Sequence, residues 1–283
     1  MIARSMRTQP WLWVFLCFCA FLGWHISGGG SPIPAQPIQT SDQAVQSSEK
    51  TPRIAIVTFI TDQKSYLHIS LKNKDHYARR HGYDFIVDYE SHTDKGTCYW
   101  KFNMMERLIK QGKWDWIWWV DFDTLITNTD IKVADIIQDE LANVTNADSI
   151  DWLLTHDCNG LNLGSFIMRS TERALDFLAE LWRLSERKKD DGHSPSEQDA
   201  MVMILKDPTY SAKTHVVPQW KLNAFPEEIA CFDESRQVWQ PGTFIIHFAG
   251  AWAHVKGDDP TGQLMNKYQD YINWGDWKQF YDH

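Results

Sequence analysis

The stretch "WDWIWWVDFDTLITN", residues 114–128, places four tryptophans within six positions and then sets Asp121 and Asp123 on either side of Phe122. Along a β-strand side chains alternate, so the two acids are expected on one face, with Cα atoms roughly 7 Å apart. Like charges that close repel unless a cation lies between them. Mg²⁺, Mn²⁺ and Ca²⁺ all accept oxygen ligands, so a divalent ion is the natural partner of such a pair. Apolar residues on both faces of the preceding run read as a central strand covered by helices. Ligands of such sheets gather beyond the carboxyl ends of the strands, where the two acids stand.

Three other stretches carry polar residues that could do chemistry: "HDCNGLNLGSFIMRS" (156–170), "SPSEQDAM" (194–201) and "HFAGAW" (247–252). Each has a plain structural reading. His247 at a strand end fits a core histidine with an internal partner. Asn159, Asn162 and Gly164 fit turn chemistry. Gln198 and Asp199 fit a helix start, with Asp199 placed to close a capping box on Ser196.

The elements that must position these residues alternate. Arg53 to Ile60 has the β-branched density of a buried strand, followed by a helix to Arg80 that Gly82 can cap. Tyr83 to Asp88 reads as a second strand, Tyr99 to Gln111 as a helix ending at Gly112, and Trp114 to Val120 as a third strand. Strands are also expected at 152–155, 165–168 and 243–248, and helices over 172–187 and from Ser196. Such alternation predicts an α/β fold with a mostly parallel central sheet. No internal repeat and no glycine-rich phosphate loop of the Rossmann or Walker kind is present.

The 283 residues carry a net charge of −9. Met1 to Arg7 is basic, and Trp11 to Ile26 contains no Asp, Glu, Lys or Arg. Sixteen helical residues reach about 24 Å, short of a ~30 Å hydrocarbon core, but early secretory membranes are thinner and Trp11 and Trp24 suit the interfaces. The sequence therefore predicts a cytoplasmic tail and signal anchor over 1–26, with the basic end in the cytoplasm; a cleaved signal peptide is the competing reading. Residues 27–51, rich in Gly, Ser, Pro and Gln, form a flexible stem, which leaves 52–283 as a lumenal catalytic domain. Beyond the anchor, 26 bases face 37 acids, a balance that argues against nucleic acid as a partner. Cys98, Cys158 and Cys231 allow one disulfide and one free thiol, in a pairing the sequence leaves open. Asn143-Val144-Thr145 is a glycosylation sequon if the domain is lumenal.

In this order, behind an anchor and a stem, "WIWWVDFDTLITN" with Asn128, "GLNLGSFIMR", the Gln of "SEQDA" and "HFAG" resemble glycosyltransferase family 34. That family holds fungal Golgi galactosyl- and mannosyltransferases and plant xyloglucan xylosyltransferases, and the resemblance runs from about Arg53 to about Trp252. It implies a GT-A fold and transfer from a nucleotide sugar with retention, using Mn²⁺, with Mg²⁺ as the other candidate. By position, it implies that Asp121, Asp123 and His247 hold the metal and that Gln198 lies near the anomeric carbon, with Asp199 beside it. Asp157, Asn162 and Gly164 would contact substrate. The xylosyltransferase branch has a lysine soon after the "HFxG" histidine, where this chain has Ala251 and Trp252; Lys256 and Lys101 are the candidates left for the diphosphate. The fungal branch implies UDP-galactose ahead of GDP-mannose as donor, a mannose-containing glycan acceptor, a type II Golgi membrane protein, and complexes with other glycosyltransferases as further partners. Two rival classes share the acid pair: a metal-dependent phosphoryl transferase, which lacks a visible nucleophile here, and a Ca²⁺-dependent lectin.

Overall fold

The computed structural model describes residues 51–187 and 192–281. β1 (Ile54–Phe59), α1 (Leu67–His81), β2 (Asp84–Asp88), α2 (Trp100–Gln111) and β3 (Trp116–Val120) follow one another as the hydrophobic pattern predicts. Gly82 and Gly112 end their helices in the left-handed conformation, at φ 67° and 62°, where a residue without Cβ carries no steric penalty. The short β4 (Thr124–Ile126) and α3 (Val133–Leu141) come next, then the hairpin of β5 (Trp152–Asp157) and β6 (Gly160–Arg169). After it lie α4 (Glu172–Ser185), α5 (Glu197–Ile204), β7 (Thr214–Val216), β8 (Ile245–His247) and α6 (Pro260–Tyr268).

The main sheet has the order β2-β1-β3-β6-β5-β7. β1 pairs in parallel with β2 and β3, and β5 with β7, while β6 runs antiparallel to both of its neighbours, β3 and β5. The sheet is thus mostly parallel, with one reversed strand at its centre. Val120 pairs with Ser165 and Thr155 with Asn162, so the carboxyl ends of β3 and β5 and the first half of β6 share one edge.

The tryptophan run divides between two cores. Ile117 and Trp119 pack with α2 and α4, whereas Trp116 and Trp118 pack on the α1 and α3 side, as alternation along a strand requires. Trp118 stacks on Phe244 with ring centroids 5.4 Å apart.

Contrary to the expectation of a common strand face, β3 ends at Val120 and residues 121–123 form a turn that leads into β4. One edge of β4 pairs antiparallel with β8, opposing Thr124 to His247. The other side of this segment is met by side chains of α1. Ser70 Oγ donates to Phe122 O at 2.5 Å, and Lys74 Nζ donates to Thr124 O at 2.9 Å. Asn73 donates to Ile126 O and accepts from Ile126 N–H, at 2.9 and 2.7 Å. Tyr77 OH donates to Ile131 O and accepts from Val133 N–H. Residues 70, 73, 74 and 77 share one helix face, so this polar stripe satisfies backbone groups that would otherwise be buried without partners.

Among the described residues no helix is long and apolar enough to cross a membrane. The expected anchor at 11–26 and the stem up to residue 50 lie outside the described residues.

Candidate active site

Asp121, Asp123 and His247 converge at the edge shared by β3, β5 and β6, with one ligand atom of each within 4.8 Å of the others. His247 is 2% exposed, and its Nε2 lies 3.3 Å from Asp123 Oδ1. The turn brings Asp123 here because Phe248 N–H donates to Asp123 O at 3.0 Å, and Asp121 because its N–H donates to Gly164 O at 2.7 Å. Two carboxylates and an imidazole make a donor set suited to Mn²⁺, since oxygen ligands alone would serve Mg²⁺ or Ca²⁺ as well. The acid side chains remain 32% and 28% exposed, so the cluster is open to solvent on one side.

The aromatic run fixes the first acid. Trp119 Nε1–H donates to Asp121 Oδ1 at 2.6 Å. Lys101, 3% exposed, reaches the same oxygen at 3.7 Å and Glu197 at 3.5 Å, and sits over the Trp119 ring. Burial works against the Lys101 charge, but Asp121 and Glu197 outweigh it and hold its pKa above the ordinary value. Lys101 therefore serves Asp121 from the protein interior, on the side away from solvent.

Burial pushes the Asp121 carboxyl up, against the pull of Lys101, and the neighbouring charge of Asp123 adds to the rise. Burial opposes the charge of Asp123 too, but His247, by charge and by hydrogen bond, and Lys74 hold its carboxyl below the usual range. Two acids this close titrate as a pair. Beneath the turn, burial takes Lys74 down from 10.5 to about 7 despite the charges of Asp123 and Asp121. Burial, Asp123 and Asp259 together raise the Tyr66 hydroxyl.

Gln198 lies in the first turn of α5, where its Oε1 accepts from Leu163 N–H at 3.2 Å. This commits the amide oxygen to β6 and leaves the two Nε2–H donors. Asp199 closes the capping box: its Oδ2 accepts from Ser196 N–H and Oγ–H at 3.0 and 2.8 Å. Asp157 Oδ2 accepts from Asn162 Nδ2 at 2.8 Å, and Gly164 packs directly on the His247 ring. Lys256 is exposed, in the loop after the one-turn helix Ala251–His254, whose Trp252 is 80% exposed. The structure thus gathers Asp121, Asp123, His247, Lys101, Asn162 and Gly164 into one network, joins Gln198 to it through β6, and leaves Lys256 outside it.

Asn223 is part of that network and carries no sequence motif. It is fully buried, and its Oδ1 lies 2.7 Å from His247 Nδ1. The one signal available was a lone amide between Leu222 and the apolar pair Ala224 and Phe225, since a buried polar group needs partners. Lys74 and Ser70 had a comparable signal in the polar stripe of α1. A disulfide joins Cys158 to Cys231 and leaves Cys98 free and exposed. Beside it, a cavity of about 680 Å³ is lined by His156, Asp157, Phe232, Asp233, Glu234 and Arg236 among others. Asp157 is common to this cavity and to the network that ends at His247.

Comparison with known proteins places these residues in context. The chain is 26% identical over 247 residues to an uncharacterised α-1,2-galactosyltransferase of Schizosaccharomyces pombe, an alignment covering 75% of this chain and 64% of that protein. It is 25% identical to a probable α-1,6-mannosyltransferase of Saccharomyces cerevisiae, covering 64% of this chain and 54% of the relative. A probable xyloglucan 6-xylosyltransferase of Arabidopsis thaliana is 28% identical, over 65% of this chain and 46% of the relative. The chain thus spans about half to two thirds of the length of these relatives. A solved glycosyltransferase involved in glycosylating the major capsid of PBCV-1 has a TM-score of 0.54 at 17% identity, covering 76% of this chain and all of that one. At that identity the likeness speaks for the fold alone, and it agrees with a GT-A architecture. The profile of the galactosyl transferase GMA12/MNN10 family matches residues 50–257, a span that holds the turn, β8 and every residue of the network, and the chain belongs to that family.

Proposed function

We propose that the protein is a metal-dependent, retaining glycosyltransferase that moves a galactosyl group from UDP-galactose to a mannose-containing glycan. The observation that carries this reading is the convergence of Asp121, Asp123 and His247 within 4.8 Å at the carboxyl edge of the sheet. The relatives' names support a galactosyl group and an α-linkage: several are named α-1,2-galactosyltransferases, and one a probable α-1,6-mannosyltransferase. Asp121, Asp123 and Nε2 of His247 would hold a divalent cation, Mn²⁺ for its tolerance of an imidazole, with Mg²⁺ as the alternative. When bound, that ion would neutralise charge on the leaving diphosphate.

The remaining chemistry falls to the chain and the substrates. Trp119 and Lys101 hold Asp121 in one orientation, and the β8 pairing holds Asp123 against His247. Gln198 is a neutral amide and cannot deprotonate the incoming hydroxyl as an inverting mechanism requires. The acceptor oxygen therefore attacks on the face the diphosphate leaves. The bond from the anomeric carbon to the diphosphate oxygen breaks, the bond to the acceptor oxygen forms, and the acceptor's proton passes to the diphosphate. The cavity beside Asp157 would receive the acceptor glycan.

The same proposal puts residues 1–26 in the Golgi membrane as an anchor, 27–51 as a stem and 52–283 in the lumen. The disulfide between Cys158 and Cys231 supports an oxidising compartment. Thermal shifts with UDP and with GDP, each with and without Mn²⁺, test the reading. UDP should stabilise the protein only when metal is present, as linkage requires of a ligand that binds the folded state. Stabilisation by Ca²⁺ alone, with no effect of either nucleotide, would reject it, and a β-linked product in the proton NMR spectrum would reject retention.

A further inference from the structure

The hydrogen bonds behind His247 form a chain whose directions are all determined by one backbone group. Gly164 N–H can only donate, and it donates at 2.9 Å to an atom of the Asn162 amide, which must then be Oδ1. The other end of that amide, Nδ2, faces Asp157 Oδ2 at 2.8 Å, where a carboxylate accepts. Asn162 Oδ1 also receives a bond from Asn223 at 2.8 Å, so the Asn223 atom there is Nδ2, which in addition donates to Thr155 Oγ1 at 3.0 Å. Asn223 Oδ1 is therefore the atom facing His247, 2.7 Å from Nδ1. An oxygen without a hydrogen can only accept, so Nδ1 carries a proton, and Nε2, 3.3 Å from Asp123 Oδ1, is the ring nitrogen left to face a metal. Thr155 and Asn223 are fully buried and Asn162 is 9% exposed, so no bulk solvent competes for these bonds.

We infer that Asn223 is a positioning residue that fixes the tautomer and ring orientation of His247, presenting Nε2 as a metal ligand. Free histidine carries its proton mainly on Nε2, the tautomer that cannot ligate through that atom, so the ring has to be held in the other form. A partner behind the imidazole that sets its tautomer is a general requirement of metal-ligating histidines, and its loss typically weakens the metal about 10- to 100-fold. A carboxylate in this place would meet Asn162 Oδ1 as oxygen against oxygen. An amide both donates to that oxygen and accepts from the imidazole. The inference rests on the metal reading of the site, but the tautomer can be observed without metal.

The experiment is ¹⁵N NMR of histidine-labelled, metal-free protein, with His247 assigned by difference from His247→Ala, at a pH where the imidazoles are neutral. The wild type should show His247 protonated on Nδ1, and Asn223→Leu should move the proton to Nε2. Titration with Mn²⁺ alone, followed by water proton relaxation, should then show Asn223→Leu binding about 10- to 100-fold more weakly. A wild-type His247 protonated on Nε2 overturns the inference with no variant needed. Wild-type Mn²⁺ affinity in a folded Asn223→Leu also overturns it while leaving the metal site in place. A wild-type protein that shows the Nδ1 proton yet binds no Mn²⁺ overturns both the inference and the metal reading.

Discussion

A Cβ on Gly164 would stand 2.1 Å from Cε1 and 2.7 Å from Nδ1 of His247, so the imidazole fills the space that any side chain at this position would need. The glycine is there for room. Gly164→Ala should cost about 1–3 kcal/mol, the usual range for overpacking, and should displace the ring from Asp123. Chemical denaturation and an Mn²⁺ titration check this together. An unchanged midpoint with unchanged Mn²⁺ affinity would mean that the ring has somewhere else to go.

Asp121→Asn and Asp123→Asn should each abolish metal-dependent transfer while leaving the protein folded, because an amide keeps the shape and removes the charge. The two variants should differ in stability. The Asp121 carboxyl is already pushed up by burial, so its neutralisation costs little, whereas Asp123 is held ionised by His247 and Lys74 and should lose more. Denaturant midpoints above pH 6 check the order; equal midpoints would contradict it.

Lys74 gives the metal-free protein a pH dependence whose sign is fixed. Its folded-state pKa of about 7 lies below its ordinary 10.5, so between these values the unfolded chain binds the extra proton and stability rises with pH. The slope approaches about 1.4 kcal/mol per pH unit for one proton, and the contribution vanishes below the folded pKa, where both states are protonated. Lys74→Met should flatten this rise while lowering stability overall, since Phe122 O and Thr124 O lose a donor. Urea melts of both proteins from pH 6.5 to 9.5 decide the matter; parallel profiles would assign the dependence to another group.

Reduction of the Cys158–Cys231 disulfide should also be costly. The cysteines are 73 residues apart, and a loop of that size corresponds to about 4 kcal/mol in the chain-entropy view. Cys231→Ser compared with wild type in denaturant, both without reductant, should show a loss of that order. A loss under about 1 kcal/mol would mean that the reduced chain is already restrained near this loop.

Much of the first half of the fold was legible because its signals are local. Helix ends at Gly82 and Gly112, the Ser196 capping box and the buried strands β1 and β3 depend on residues close in sequence. The metal-ligand candidates were legible through a resemblance, with Asp121 and Asp123 correctly expected beyond the end of β3. Their arrangement was not. A strand of three residues such as β4 has too little periodicity to stand out, so the two acids were expected on one strand face and not in a turn. β7, α3 and α6 also went unread. The pairing of Cys158 with Cys231 and the place of Asn223 depend on which distant segments meet, and no spacing rule encodes that.

The polar stripe of α1 has a consequence for the order in which the molecule assembles. Its bonds to the segment around β4 join residues 48 to 56 positions apart. The opposite edge waits for β8, which lies more than a hundred residues further along the chain. The local bonds of Thr124 and Trp119 to Asp121 do not by themselves bury the Asp121–Asp123 turn, and closing such distant contacts is the slow part of folding. An emerging chain therefore has no formed turn until α1 has docked, and no third ligand until β8 has been made. A cation at the proposed site would not nucleate this fold. Its binding would instead mark the end of folding, and fragments that stop short of β8 should synthesise and partly fold without ever gaining affinity for the ion.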